Sequence, residues 1–225
     1  MKPMNDEHFA VLRRHMVEVI AIHADLMSDE LGKDTLDDRV MAVMMRVPRH
    51  RFVPEQLAPI AYHDTPLPIG FDKTISQPFI NALMTDLLAL EPTDAVLEIG
   101  TGLGYHAAVL SELAGAIWTV EVVEELAGQA ERRLQRLGYL DVGLRVGDGS
   151  RGWSEHAPYD KILVTAAAER VPSALLDQLR PGGRIVMPLG GTEAQMLATV
   201  DKGGEGPARV QRVMPVQFGL LETVI

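Results

Sequence analysis

The chain has no cysteine among its 225 residues, which excludes disulfides, thiolate metal ligands and cysteine nucleophiles and fits a reducing compartment. It is also short of positive charge. With 21 Lys and Arg against 31 Asp and Glu the formal net charge is -10, so a broad electrostatic grip on nucleic acid phosphates is not expected. Small molecules or polypeptides are the expected substrates. No apolar run reaches the ~18 residues that mark a membrane span. The opening Met1-Lys-Pro-Met-Asn-Asp-Glu-His8 turns acidic at once rather than presenting a basic segment ahead of an apolar one. These absences predict a cytoplasmic protein with no signal peptide, no membrane association and no nucleic acid partner.

What is present reads as one α/β domain of ordinary hydrophobic content, 47% of the chain. Phe9, Leu12, Met16, Ile20 and His23 recur at helical spacing, predicting an amphipathic helix over 6–27, with a second over about 36–46. Val47-Pro-Arg-His-Arg-Phe-Val-Pro54 stops it. Residues 54–75, with prolines at 54, 59, 66 and 68, are expected to form a long irregular segment of the kind kept for lids and binding loops. Ser76-Gln-Pro78 then opens a helix to about Leu90, Pro78 being tolerated in its first turn. Beyond it come strand 95–99, helix 105–114, strand 116–122, helix 124–137, strands 142–146 and 161–165, helix 172–179 and strand 183–188. That alternation predicts a doubly wound, mostly parallel sheet. Strands over 195–201 and 210–218 flank the turn Lys202-Gly-Gly-Glu-Gly-Pro207 and add a C-terminal antiparallel hairpin. Within the single domain, 1–75 is read as N-terminal helices and a substrate loop, 76–190 as the cofactor-binding core and 191–225 as C-terminal strands.

The stretch Ala95-Val-Leu-Glu-Ile-Gly-Thr-Gly-Leu-Gly-Tyr105 carries the most information, because a short apolar strand runs into glycines at 100, 102 and 104. Glycines there let the backbone approach a ligand at a helix start. A dinucleotide pyrophosphate would want G-x-G-x-x-G, whereas the spacing here is G-x-G-x-G, and Glu98 just ahead of it would repel phosphate. S-adenosyl-L-methionine, which has no phosphate and carries an ammonium and a sulfonium, suits this order.

In an open α/β sheet the ligand sits outside the carboxyl ends of the strands, so the strand ends are read together. Glu121 ends the second core strand, 23 residues beyond Glu98, about where an acid accepts from both ribose hydroxyls. Asp148 and Gly149 follow the third strand, with Asp148 able to accept from the adenine amino group. Thr165 and the alanines at 166–168 follow the fourth and leave room for a substrate. The expected cofactor set is Glu98, Gly100, Thr101, Gly102, Gly104, Glu121, Val122, Asp148, Gly149 and Thr165. Each acid taken alone also fits a solvated loop residue or a helix N-cap. His8, His15 and His23 share the first helix, but no carboxylate or cysteine completes a metal site with them, and no metal is expected.

Pro66-Leu-Pro-Ile-Gly70 followed by Thr74-Ile-Ser-Gln-Pro78, then Val96-Leu-Glu-Ile-Gly-Thr-Gly102, Gly147-Asp-Gly149 with Gly152-Trp153, Val164-Thr-Ala-Ala-Ala168 and Leu179-Arg-Pro-Gly-Gly-Arg184 extend the reading. Together they make the chain resemble, over nearly its whole length, the bacterial protein-L-isoaspartate O-methyltransferases. The glycine loop is shared by many methyltransferases, whereas the first two motifs in succession are specific to this family. The resemblance implies a class I S-adenosyl-L-methionine-dependent fold. It also implies methyl transfer to the free α-carboxylate of L-isoaspartyl residues in damaged proteins and peptides, and a monomeric chain. It makes Ser76 the active-site residue, with Thr74, Ile75 and Gln77 beside it at the substrate. Leu103 and His106 stand where the family often has serine and glutamine, Phe71-Asp-Lys73 replaces a frequent His-Gly-Gln, and Gln217 lies near a frequent arginine. These departures bear on substrate preference.

The chemistry follows from the residues as well. An isoaspartyl linkage leaves the α-carboxyl free, with a pKa of about 3.3–3.7, so the nucleophile is ionised at neutral pH and no general base is needed. The protein then contributes mainly proximity and orientation. Ser76, Thr74 and nearby backbone N–H groups are suitable carboxylate donors, although Ser76 also fits an N-cap of the following helix. Methylation of a small-molecule oxygen and non-catalytic binding of an adenosine ligand are the competing readings.

Overall fold

The computed structural model describes residues 4–204 and 206–223; Met1–Pro3, Glu205, Val224 and Ile225 lie outside the described residues. Helix α1 (Asp6–Leu26) starts at Asn5, whose side chain accepts from the His8 N–H while the His8 ring accepts from the Asn5 N–H, so its first turn is satisfied locally. After α2 (Ser28–Leu31), the Asp37 side chain accepts from the Arg39 N–H and caps α3 (Asp38–Arg46). The segment expected to be irregular is structured. Short 3-10 turns at Arg49–Arg51 and Glu55–Ile60 lead into an antiparallel hairpin of β1 (Leu67–Gly70) and β2 (Lys73–Ile75). Pro68 obscures the strand signal because it cannot donate to a ladder. The turn itself is made by Phe71 and Asp72, both at φ 54, where a hairpin usually announces itself with Asn or Gly.

The remaining elements follow the expected order: α4 (Pro78–Leu88), β3 (Ala95–Ile99), α5 (Tyr105–Ser111), β4 (Ala116–Glu121), α6 (Glu124–Leu137), β5 (Val142–Val146), β6 (Tyr159–Val164), α7 (Ser173–Gln178), β7 (Leu179–Gly190), β8 (Gln195–Asp201) and β9 (Arg209–Val216). Two boundaries move for visible reasons. Leu179, expected at the end of a helix, is already extended and opens β7. β9 stops at Val216 because a side chain replaces the ladder at Phe218: its N–H donates to Gln195 Oε1 (2.6 Å) and its carbonyl accepts from Gln195 Nε2 (2.9 Å).

The seven-stranded sheet has the order β5-β4-β3-β6-β7-β8-β9, parallel from β5 to β7, with β8 antiparallel to both of its neighbours. This is the doubly wound, mostly parallel sheet that the alternation predicts, with the C-terminal antiparallel hairpin at its edge, and it is the class I methyltransferase architecture that the resemblance implies. The order reverses between β3 and β6, so a cleft opens beyond their carboxyl ends. Helices cover both faces, and each apolar strand side chain so buried contributes about 1.5–3 kcal/mol. Val96, Leu163 and Val186 pack on one side with α1, α4 and α5, while Leu97, Ile99, Ile162 and Ile185 pack on the other with Leu175 of α7. Alternation along β3 therefore aims Glu98 at the Val96 side, beneath the glycine loop. Among the described residues no helix is long and apolar enough to cross a membrane.

Candidate active site

A cavity of about 430 Å³ lies at the carboxyl ends of β3, β4 and β6, within the range of small-ligand sites. Its walls are the strand-end residues Ile99–Leu103, Val120–Val122, Gly149, Thr165 and Ala166, the β1–β2 hairpin with the start of α4, and a C-terminal tail from Met214 to Glu222.

The strand-end wall is held by its own polar groups. Gly100 has φ +96, and a Cβ there would meet Thr165 Oγ1 at 2.3 Å, so the loop closes onto β6 only with glycine. Thr165 donates its N–H to the Ile99 carbonyl (2.9 Å) and its hydroxyl to the Gly100 carbonyl (3.0 Å). Glu121 fastens the other side: Gly102 N–H donates to its Oε2 (2.7 Å) and Val123 N–H to its Oε1 (3.0 Å). A carboxylate offers about four lone-pair sites, so each oxygen keeps one free for a ligand hydroxyl. Of the residues expected to hold the cofactor, Gly100, Thr101, Gly102, Glu121, Val122, Gly149 and Thr165 line the cavity.

Glu98, Gly104 and Asp148, also expected there, do not line it. Glu98 is wholly buried. Its Oε2 accepts from Thr119 Oγ1 (2.6 Å), which in turn accepts from Thr101 Oγ1 (2.6 Å), so the acid braces the glycine loop from below. Burial pushes its carboxyl up to about 8, the Thr119 bond opposing the rise and the Glu121 charge adding to it. Its second oxygen, Oε1, is buried without a partner among the described residues. Asp148 turns its carboxylate onto its own loop, accepting from the N–H (2.9 Å) and hydroxyl (2.7 Å) of Ser150, and so caps the 3-10 turn Gly149–Arg151. Gly104 starts α5 at φ +88, where a Cβ would press on Leu134 Cγ at 3.1 Å; packing of α6, not ligand approach, requires glycine there.

On the opposite wall Thr74, Ile75, Ser76 and Gln77 all line the cavity. Ser76 is not the N-cap of α4. The cap position is Gln77, and the Phe79 N–H is satisfied from a distance by Asp64 Oδ1 (2.8 Å), so among the described residues no hydrogen bond ties up the Ser76 hydroxyl. Its carbonyl accepts from Arg49 Nη2 (2.6 Å). Arg49 Nη1 also donates to Asn81 Oδ1 (3.0 Å), which fixes the Asn81 amide so that its Nδ2 donates to His106 Nδ1 (3.0 Å). His106 Nε2–H then donates to Thr85 Oγ1 (2.9 Å), whose own proton goes to the Asn81 carbonyl (2.7 Å). His106 is therefore neutral with its proton on Nε2, and burial, with Arg49 nearby, pulls its pKa down to about 3.

The family model described as Protein-L-isoaspartate(D-aspartate) O-methyltransferase (PCMT) matches residues 22–222. The chain belongs to this family. Protein-L-isoaspartate O-methyltransferase 1 of Polaromonas sp. (strain JS666 / ATCC BAA-500) is 52% identical over 97% of this chain and 93% of its own length. Protein-L-isoaspartate O-methyltransferase 2 of Syntrophobacter fumaroxidans is 49% identical over 95% of this chain and 87% of its own length. A solved protein-L-isoaspartate O-methyltransferase superposes with a TM-score of 0.79 at 28% identity over 92% of this chain, which spans 65% of that solved chain. The Plasmodium falciparum beta-aspartate methyltransferase, in complex with S-adenosyl-L-homocysteine, shares the fold with a TM-score of 0.77 at 22% identity, over 96% of this chain and 98% of its own. S-adenosyl-L-methionine is the methyl donor of this family, and the free lone pairs of Glu121, which lines the cavity, fit its hydroxyl-bearing ribose.

The departures from the isoaspartate methyltransferase pattern sit at the cavity. Leu103, His106, Asp72, Lys73 and Gln217 all line it, Lys73 in an ion pair with Glu222 of the tail, while Phe71 is exposed at the hairpin tip. The helix-one histidines part company: His8 caps α1, His15 lies 3.7 Å from Glu18, and His23 Nδ1 lies 2.9 Å from Asp64 Oδ2. Arg49, Asp64 and Asn81 escaped the sequence reading. Their signal was faint: Arg49 lies in a Pro-bracketed stretch that reads as a helix stop, and nothing local ties it to Ser76, 27 residues on.

Proposed function

We propose that this chain transfers a methyl group from S-adenosyl-L-methionine to the free α-carboxylate of L-isoaspartyl residues in damaged proteins and peptides, opening their repair through a succinimide. The observation that carries the reading is the juxtaposition, across one cavity, of the glycine loop with Glu121 and of a Ser76 hydroxyl that no group among the described residues engages. When bound, S-adenosyl-L-methionine supplies an electrophilic methyl group on a sulfonium. Glu121 holds the ribose hydroxyls, Gly100, Thr101, Gly102 and Thr165 shape the floor, and Val122 and Gly149 wall the adenine. Ser76 donates its hydroxyl to the substrate carboxylate, with Thr74, Ile75 and Gln77 beside it. Holding the carboxylate in line supplies roughly 7–11 kcal/mol of the barrier reduction, and no residue needs to remove a proton. A monomeric, cytoplasmic chain without nucleic acid or membrane partners goes with this reading; the lack of cysteine and the net charge of -10 support it.

The rate with an isoaspartyl peptide, followed from about pH 6 to 8, tests it: the α-carboxylate is ionised throughout, so no limb due to the nucleophile is expected. A rate rising about tenfold per pH unit would point to an alcohol, phenol or amine acceptor and so to the small-molecule alternative.

A further inference from the structure

An anion entering the substrate half of the cavity meets an unfavourable lining. Asp72 and Glu222 line it, Glu121 faces it from the cofactor half, and its lining cation among the described residues, Lys73, is already paired with Glu222. The compensating charge lies just behind the wall. Arg49 is fully buried, donating to the carbonyls of Ala61 (2.8 Å) and Ser76 (2.6 Å) and to Asn81 Oδ1 (3.0 Å), with its guanidinium carbon 4.9 Å from the centroid of the Tyr105 ring. These partners are all neutral, and among the described residues Arg49 makes no ion pair. The neighbouring acid, Asp64, is engaged by the Phe79 N–H (2.8 Å), the Gln77 amide (3.3 Å) and His23 (2.9 Å). A buried cation whose hydrogen-bond partners are all neutral, and whose nearest acid is engaged by other groups, is costly, and it is screened far less by salt than a surface charge. Burial pulls the guanidinium down to about 10, which still leaves it charged at neutral pH.

We infer that Arg49 is the buried counter-charge for the substrate carboxylate and the positioning residue for Ser76. Resting on the proposed function, this assigns two physical roles to one side chain. Its field favours an anionic ligand over a neutral isostere at the same place, although a wall of Ser76 and Asn81 separates the two. Its bond to the Ser76 carbonyl fixes the residue whose hydroxyl faces the ligand. The planar fork reaches three acceptors in different directions, which a lysine ammonium on a flexible stem would not reproduce.

The test compares two peptides that differ only in the isoaspartyl α-carboxyl group, one carrying the free carboxylate and the other the carboxamide. Their dissociation constants are measured with S-adenosyl-L-homocysteine present, for the wild type, Arg49→Met and Arg49→Gln. Glutamine keeps a hydrogen-bonding group for the carbonyls should methionine prevent folding, and S-adenosyl-L-homocysteine affinity and melting curves report on the fold of each variant. The wild type is expected to prefer the carboxylate by at least about tenfold, and each variant to lose about tenfold of that preference while S-adenosyl-L-homocysteine affinity stays within about twofold. Variants that weaken both peptides equally and keep the wild-type ratio would overturn the inference alone, leaving Arg49 a structural brace. A wild-type ratio near one would overturn the proposed function and the inference with it.

Discussion

The cofactor half of the cavity takes its walls from the ends of successive strands, whereas the substrate half is assembled from the turn at Arg49, the β1–β2 hairpin, the start of α4 and the tail from Met214 to Glu222. In the first half the polar groups tie together the ends of strands that are already neighbours in the sheet: Glu121 takes the N–H groups of Gly102 and Val123, and Thr165 returns to β3. In the second, side chains bridge turns, hairpin and tail that no sheet ladder holds side by side. Arg49 reaches Ser76, Asp64 reaches Phe79, Gln195 clasps Phe218, and Lys73 pairs with Glu222. A lesion in the first half should therefore reach cofactor binding and the fold of the loop together, and a lesion in the second should reach peptide binding or turnover while cofactor affinity is kept.

Glu121→Ala makes the largest break. It removes the proposed acceptor of two ribose hydroxyls, each contact to a charged acceptor being worth on the order of 1.5–3 kcal/mol, and it orphans the Gly102 and Val123 N–H groups. Calorimetric titration should show a large loss of S-adenosyl-L-homocysteine affinity accompanied by a lower melting temperature. Unchanged affinity would mean that Glu121 only braces the loop.

Ser76→Ala sharpens the contrast from the other side. Loss of the carboxylate donor should lower kcat about a hundredfold while cofactor affinity stays near wild type. Because Gln77 rather than Ser76 occupies the cap position of α4, little loss of stability is expected. Normal turnover in the variant would move the donor role to Thr74 and the backbone.

His106→Gln should give the smallest effect, one visible in acid. The folded protein binds a proton at His106 only near pH 3, whereas the unfolded chain binds it below 6.5. The unfolded state therefore carries the extra proton in between, and stability falls as pH drops from 6.5 toward 3, by about 1.4 kcal/mol per pH unit. Burial also pulls His50 down, to about 4, so a parallel slope should survive the substitution. Glutamine can accept from Asn81 and donate to Thr85 as the imidazole does, so denaturation curves between pH 4 and 6.5 should lose one proton's slope without collapse at neutral pH. An unchanged slope would mean that His106 is not held neutral by its surroundings.

Legibility in the sequence divides along the same line. β3 to β6 were plain because each is a short apolar run closed by turn residues, and the fold follows once they alternate with helices. The β1–β2 hairpin was hidden by Pro68 and by a Phe71-Asp72 turn that carries no glycine. Among the site residues, Glu121, Thr165 and Ser76 reach the cavity from positions that motif and strand end announce. Glu98 and Asp148 carry the same local signal and are turned elsewhere, one by strand alternation and one by a capping turn, which only packing decides. Arg49 and Asp64 owe their roles to contacts across 27 and 15 residues, and no local pattern encodes those.

The most direct measurement incubates the protein with methyl-labelled S-adenosyl-L-methionine and two peptides of one sequence, one with an aspartyl and one with an isoaspartyl linkage at the same site. The proposed function predicts label in the isoaspartyl peptide, held as a methyl ester that base releases as methanol, and none in its aspartyl twin; equal labelling of the two, or labelling of neither, would contradict it.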